Sequence, residues 1–163
     1  MASIRRLTPK DAERFREIRI EGFRQHPAAF GSGLANVIDQ PLSFFENWLT
    51  DLNAYGGFDD DELVAVAAYA RGKGVNVRHT ANLIAVYARP QARGKGIMAQ
   101  MIEVMCEDAQ QEGVEQITLC VTVDNQAAQK TYRKLGFERF GTAPKAILHD
   151  GHYYDEDLMV RFL

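Results

Sequence analysis

From Leu63 to Ala70 the chain reads Leu-Val-Ala-Val-Ala-Ala-Tyr-Ala, apolar at every position. The run is far shorter than the roughly 20 residues that cross a bilayer, and as a strand it has no polar face. Both of its faces must therefore be covered, which excludes a sheet open to water on one side and calls for helices above and below. The chain has material for that. Its 163 residues, 46% of them hydrophobic, can bury roughly 70% of the unfolded surface in a single domain over 1–163.

Short elements follow one another without a repeat or linker. Ser3 to Leu7 can open the sheet, and Thr8-Pro9 starts a helix whose apolar face is Ala12, Phe15, Ile18, Gly22 and Phe23. After the loop HPAAFGSGLANVIDQP, Pro41 opens a second helix. Tyr55–Phe58 and Glu62–Arg71 read as a hairpin turning at Asp59-Asp60-Asp61, and a further strand covers Arg78–Tyr87. A helix with Ile97, Met101, Ile102, Val104 and Met105 inward ends near Gly113. Gln116 to Val123 alternates strictly as a strand, and Asn125–Leu135 is a short helix stopped by Gly136. Two last strands, Phe137–Gly141 and Tyr153–Leu163, are expected to flank a loop, TAPKAILHDGH. Strand, helix, strand over 78–123 implies a parallel crossover inside an otherwise mixed α/β order.

The segment that carries chemistry is Val86-Tyr87-Ala88-Arg89-Pro90-Gln91-Ala92-Arg93-Gly94-Lys95-Gly96-Ile97. It joins a strand to a helix N-terminus, where unpaired backbone N–H groups and about half a positive charge favour an anion. Gly94 and Gly96 allow close backbone approach, and Arg93 and Lys95 add charge. A Walker A loop is absent. A Gly-x-Gly-x-x-Gly fingerprint is broken by Ala99 and lacks its early strand, and an ordinary Gly-containing turn is the plain alternative.

A second segment decides between these. Asn125-x-x-Ala128-x-x-x-Tyr132-x-x-x-Gly136-Phe137 follows the period-2 strand, with Ala128, Tyr132 and Gly136 along one helix face. Together the two segments resemble the GNAT superfamily of acetyl-CoA-dependent N-acetyltransferases, strongly over residues 78–140. The family's Gln/Arg-x-x-Gly-x-Gly/Ala signature fits in two registers. Gln91-x-x-Gly94-x-Gly96 matches every letter, while Arg93-x-x-Gly96-x-Met98 breaks the last. The second is preferred because the apolar helix residues Met101 and Ile102 then stand at the usual offset. Met98 is a departure that fits only with its side chain turned away.

The resemblance implies a mixed, mostly antiparallel sheet of about seven strands with a parallel, splayed central pair, flanked by about four helices. It implies acetyl-CoA as co-substrate and no metal. Val86, Tyr87 and Ala88 are the expected pantetheine strand, with the oxyanion donor near Val86–Tyr87. Arg93, Gly94, Lys95, Gly96, Ile97 and Met98 are the expected phosphate loop, and Asn125 offers an amide while capping its helix. Tyr132, protonated at neutral pH, is the expected acid for the leaving thiolate.

The attacking amine must lose a proton, and a Lys-like amine is neutral in only about 1 molecule in 2,500 at pH 7. Where some relatives have Glu, this chain has Asn82; His79, Asp155 and Glu156 are alternatives and the base stays unassigned. The acceptor is expected to be a primary amine of a small molecule or peptide, held by the segments 27–40 and 142–155. Protein N-termini, polyamines and aminoglycosides stay open. A catalytically degenerate CoA-binding sensor is the alternative function.

The net charge of −3 argues against a nucleic-acid partner, and no apolar stretch suggests a membrane partner or a secretory leader. Cys106 and Cys120 form no disulfide framework or metal spacing, so a cytoplasmic location is expected. The reading leaves room for a homodimer.

Overall fold

A computed structural model describes residues 2–163. Seven strands form one sheet in the order β1-β2-β3-β4-β5-β7-β6. They are β1 (Ala2–Arg6), β2 (Asn53–Asp59), β3 (Glu62–Arg71), β4 (Thr80–Ala88), β5 (Gln116–Thr122), β6 (Glu138–His149) and β7 (His152–Phe162). Among the described residues four α-helices flank the sheet: α1 (Ala12–Gln25), α2 (Leu42–Asp51), α3 (Ile97–Gln111) and α4 (Gln126–Lys134). Only β4 and β5 run parallel; every other neighbouring pair is antiparallel. The expected mixed sheet with its parallel central pair is the observed one.

The apolar run sits where its composition requires. Within β3, Val64, Ala67 and Tyr69 join the core built with α3 and α4, while Leu63, Val66 and Ala68 join the core built with α1 and α2. The first helix is tied back to β1 through Asp11, whose carboxylate accepts from Arg5 Nη1 and Nη2 at 2.9 and 2.8 Å and from Thr8 N at 2.9 Å. At the far end of α3, Asp108 accepts from Tyr55 Oη at 2.6 Å and Glu112 from Arg6 Nη2 at 2.6 Å. These bonds seat α3 across β1–β3.

The expected loop at 142–152 is instead strand. β6 continues to His149 and meets β7 through Asp150-Gly151, both left-handed at φ 50° and 76°. That is the two-residue turn that a right-twisted hairpin favours. Pro144 is accommodated because β6 is the sheet edge and the pairing breaks register between Ala143 and Ile147. Lys145 takes φ 51° there, and its N–H donates to Asp155 Oδ1 at 2.8 Å. The segment proposed for acceptor contacts is therefore a bulged hairpin.

Candidate functional site

β4 is irregular where the sequence places its chemistry. Its pairing with β3 shifts between Val66 and Ala68, and Ala85 opposite takes a left-handed φ of 57°. Such a conformation is uncommon outside glycine and marks a bulge. Its effect is to reverse the strand's facing. Ahead of it Ala81 and Leu83 pack toward α3 while Ile84 packs toward α1. Beyond it Val86 and Ala88 pack toward α3, and Tyr87 toward α1. The parallel pairing with β5 stops just before, at Asn82–Thr118. From there the two strands part.

The parted strands open a cleft of about 600 Å³. Of the residues singled out in the sequence, Val86, Tyr87, Ala88, Arg93, Gly94, Gly96, Ile97, Met98, Asn125 and Tyr132 all line it. Lys95 is exposed and stands outside its walls. The loop after α1 contributes His26, which no sequence motif flagged, together with Ala29 and Phe30 from the segment 27–40 expected to hold the acceptor.

At one end lies the N-terminus of α3. Gly94 and Gly96 adopt φ 73° and 77°, and α3 begins at Ile97 with no acidic residue in its first turn. A Cβ at Gly94 would meet nothing within 4 Å, so the glycine serves the backbone conformation and leaves the loop open from outside. Met98 packs partly against the core built with α3 and also lines the cleft.

The basic cluster at this turn is smaller than its sequence suggests. Arg89 is bound by Glu21 at 2.9 Å and Glu62 at 2.6 Å, so its charge is already matched. Arg93 curls back along the strand end, Nε donating to Ala88 O at 3.0 Å and Nη2 lying 3.1 Å from His26 Nε2.

At the other wall is α4. Asn125 caps it, Oδ1 accepting from Ala128 N at 3.2 Å. Buried Gln129 hitches the helix to β5, Nε2 donating to Val123 O at 2.9 Å and Thr122 O at 3.3 Å. Tyr132, 7% exposed, packs edge-on against Phe137 at 5.8 Å. Burial raises its hydroxyl above the ordinary phenol range, so it holds its proton at neutral pH.

Tyr87 faces the opposite side of the sheet. Its hydroxyl lies 2.8 Å from Glu21 Oε1 and 2.9 Å from Gln25 Oε1 and is pushed up to about 12, chiefly by burial. Gly22 makes room for the ring; a Cβ there would come within 3.1 Å of Tyr87 Cγ. The Tyr87 side chain thus clamps α1 to the bulged strand, and its backbone runs along the splay.

The candidate bases separate. His79 precedes β4, its carbonyl accepting from Glu115 N and Gln116 N. Val86 lies seven positions further on, roughly 23 Å of extended strand, so His79 is far from the splay. Asn82 accepts from Thr118 Oγ1 at 3.3 Å, at the point where the strands part. Asp155 is taken up by Lys145 N. Glu156 pairs in register with Thr122, and burial pushes its carboxyl up.

The sequence model of the family described as Acetyltransferase (GNAT) family matches residues 13–137. An L-amino acid N-acetyltransferase of Escherichia coli (strain K12) is 42% identical over 80 residues, 48% of each chain. The chain spans about half the length of the curated relatives it matches. A ribosomal-protein-alanine N-acetyltransferase from Brucella melitensis shares the fold with a TM-score of 0.86 at 23% identity, over 99% of both chains. The yncA protein of Salmonella typhimurium, solved with its cofactor acetyl-CoA, gives 0.82 at 20% identity, over 100% of this chain and 94% of that one.

Proposed function

The chain belongs to the GNAT acetyltransferase family, and on that premise we propose that it transfers the acetyl group of acetyl-CoA to a primary amine by direct attack within a ternary complex. The observation that carries this is the single cleft joining the splayed, bulged β4 to Tyr132 and to the open N-terminus of α3.

When bound, acetyl-CoA supplies an activated thioester. The residues of the chain then divide three tasks. Backbone N–H groups at Gly94 to Met98, on a helix terminus without acidic residues, suit the diphosphate. Backbone N–H groups near Val86–Tyr87, released from β5 by the splay, suit the oxygen that gains charge during attack. Tyr132 holds a proton in an apolar wall where a thiolate would leave.

L-Amino acids are the first acceptors to test, because a half-length relative is named for that activity. A cytoplasmic location belongs to the same reading, in which Cys106 and Cys120 persist as free thiols. So does a homodimer, which light scattering tests. Thiol release from acetyl-CoA is expected with at least one class of amine. Tyr132→Phe should retain acetyl-CoA affinity and lose about 100-fold or more in kcat at neutral pH. Binding of acetyl-CoA without thiol release from any amine overturns the enzymatic reading; an unchanged kcat in Tyr132→Phe removes that residue from the acid role.

A further inference from the structure

We infer that Arg19 anchors a carboxylate carried by the amine acceptor, so that the substrates are small amines bearing an acid group. The inference rests on the acetyl-transfer reading above and narrows it.

Arg19 lies on α1 with its Cζ 4.6 Å from the Phe23 ring, 5.2 Å from Phe30 and 6.0 Å from Trp48. Three rings contact the guanidinium, and cation–π attraction holds it in place. Arg5, Arg6, Arg14, Arg89, Arg139 and Arg161 each meet a carboxylate. Arg19 forms no ion pair and no side-chain hydrogen bond among the described residues, and loss of water alone acts on it, pushing it down to about 10.

Its donors are nevertheless not sealed. No buried side-chain nitrogen or oxygen among the described residues lacks a partner, so the unpaired N–H edge of Arg19 reaches solvent. A cation that has lost most of its water and has no internal anion gains more from a bound anion than a surface arginine does. The planar fork suits a carboxylate, with two parallel hydrogen bonds.

Position gives the anion its identity. Phe30 touches Arg19 on one side and lines the catalytic cleft on the other, together with His26, Val86 and Tyr132. His26 caps the C-terminus of α1 seven residues after Arg19, about 10.5 Å along the helix axis. An amine at the splay and a carboxylate on Arg19 can therefore belong to one small molecule. The same cation disfavours polyamines and aminoglycosides, which carry only positive charge.

The test compares L-methionine, L-leucine and 4-aminobutyrate, each with its carboxamide. Trp48, the only tryptophan of the chain, stands beside Arg19, so its emission reports docking without turnover. Wild type should prefer each acid that it binds over the matching amide by about tenfold or more, in Trp48 titrations and in kcat/KM. Arg19→Met should erase that preference, and Arg19→Lys should keep part of it. Because the acid-to-amide ratio is taken within one preparation, partial unfolding of a variant cancels.

Equal use of acids and amides by wild type, or an unchanged ratio in Arg19→Met, overturns the anchor. Thiol release with amides as fast as with acids sinks the anchor alone. An acid preference in the titrations that Arg19→Met abolishes, with no thiol release from any amine, supports the anchor and overturns acetyl transfer instead.

Discussion

Asp11 shows how a single side chain sets a pH limit. Arg5's two hydrogen bonds are the main cause that holds its carboxyl down at about 2, with burial opposing and Thr8 assisting. Its folded value lies below its unfolded one, so the stabilisation is complete above the ordinary carboxylate range and is lost as pH falls toward about 2. Arg5 is half exposed, which trims the contribution to roughly 1–2 kcal/mol. Urea midpoints followed from about pH 6 to pH 2 should fall more steeply in wild type than in Asp11→Asn, and parallel curves would refute the assignment. At this scale the sequence was readable where partners are near neighbours. Asn125 caps a helix three residues on, and Ala128 and Tyr132 share a face by spacing alone. Arg89 was not readable, because the acids that neutralise it lie 68 and 27 residues away. Arg19 gave no signal at all, since its meaning lies in rings brought together from α1, a loop and α2.

Among elements, the clamp between α1 and β4 carries the most consequence. Glu21, Gly22 and Gln25 on α1 receive Tyr87, and Glu21 also holds Arg89, so one helix fixes both ends of the strand segment that follows the bulge. Tyr87→Phe is expected to cost about 0.5–1.5 kcal/mol in stability. It should also lower kcat severalfold with KM for acetyl-CoA nearly unchanged, because the loosened strand misplaces the backbone donor while the phosphate loop stays intact. Separate measurement of kcat and KM, with amide exchange at 85–88, checks this. A stability loss without any fall in kcat would leave the clamp a packing feature only. Element types and order were legible from periodicity and punctuation, down to Gly113 and Gly136 with φ 90° and 83° just past their helices. The β6–β7 hairpin was not, since Pro and Gly in an edge strand read as loop until the partner strand is in place. Nor was the bulge, because Ala85 is an ordinary strand residue by type.

For the whole molecule, the sheet is two parts, β1–β4 and β5–β7, joined by the short parallel pairing of Thr80–Asn82 with Gln116–Thr118. The cleft straddles that join, with Val86 on one side and Asn125 and Tyr132 on the other. A ligand that spans it adds connections the chain itself makes sparingly. CoA at 100 times its Kd should add about 2.7 kcal/mol to stability. Amide exchange should slow at 85–88 and at 125–132 together, and protection confined to the start of α3 would argue for a ligand held by its phosphates alone. The extra residue at Ala85 does to this strand what one inserted letter does to a reading frame. Everything downstream is read on the opposite face, which is why Tyr87 grips α1 while its neighbours Val86 and Ala88 turn toward the cleft. β4 therefore behaves as an indivisible unit of inheritance. A chimera cut within it and rejoined one residue short would present the clamping tyrosine to the cofactor's side, whereas joints placed before Thr80 or beyond Ala88 leave both faces in phase.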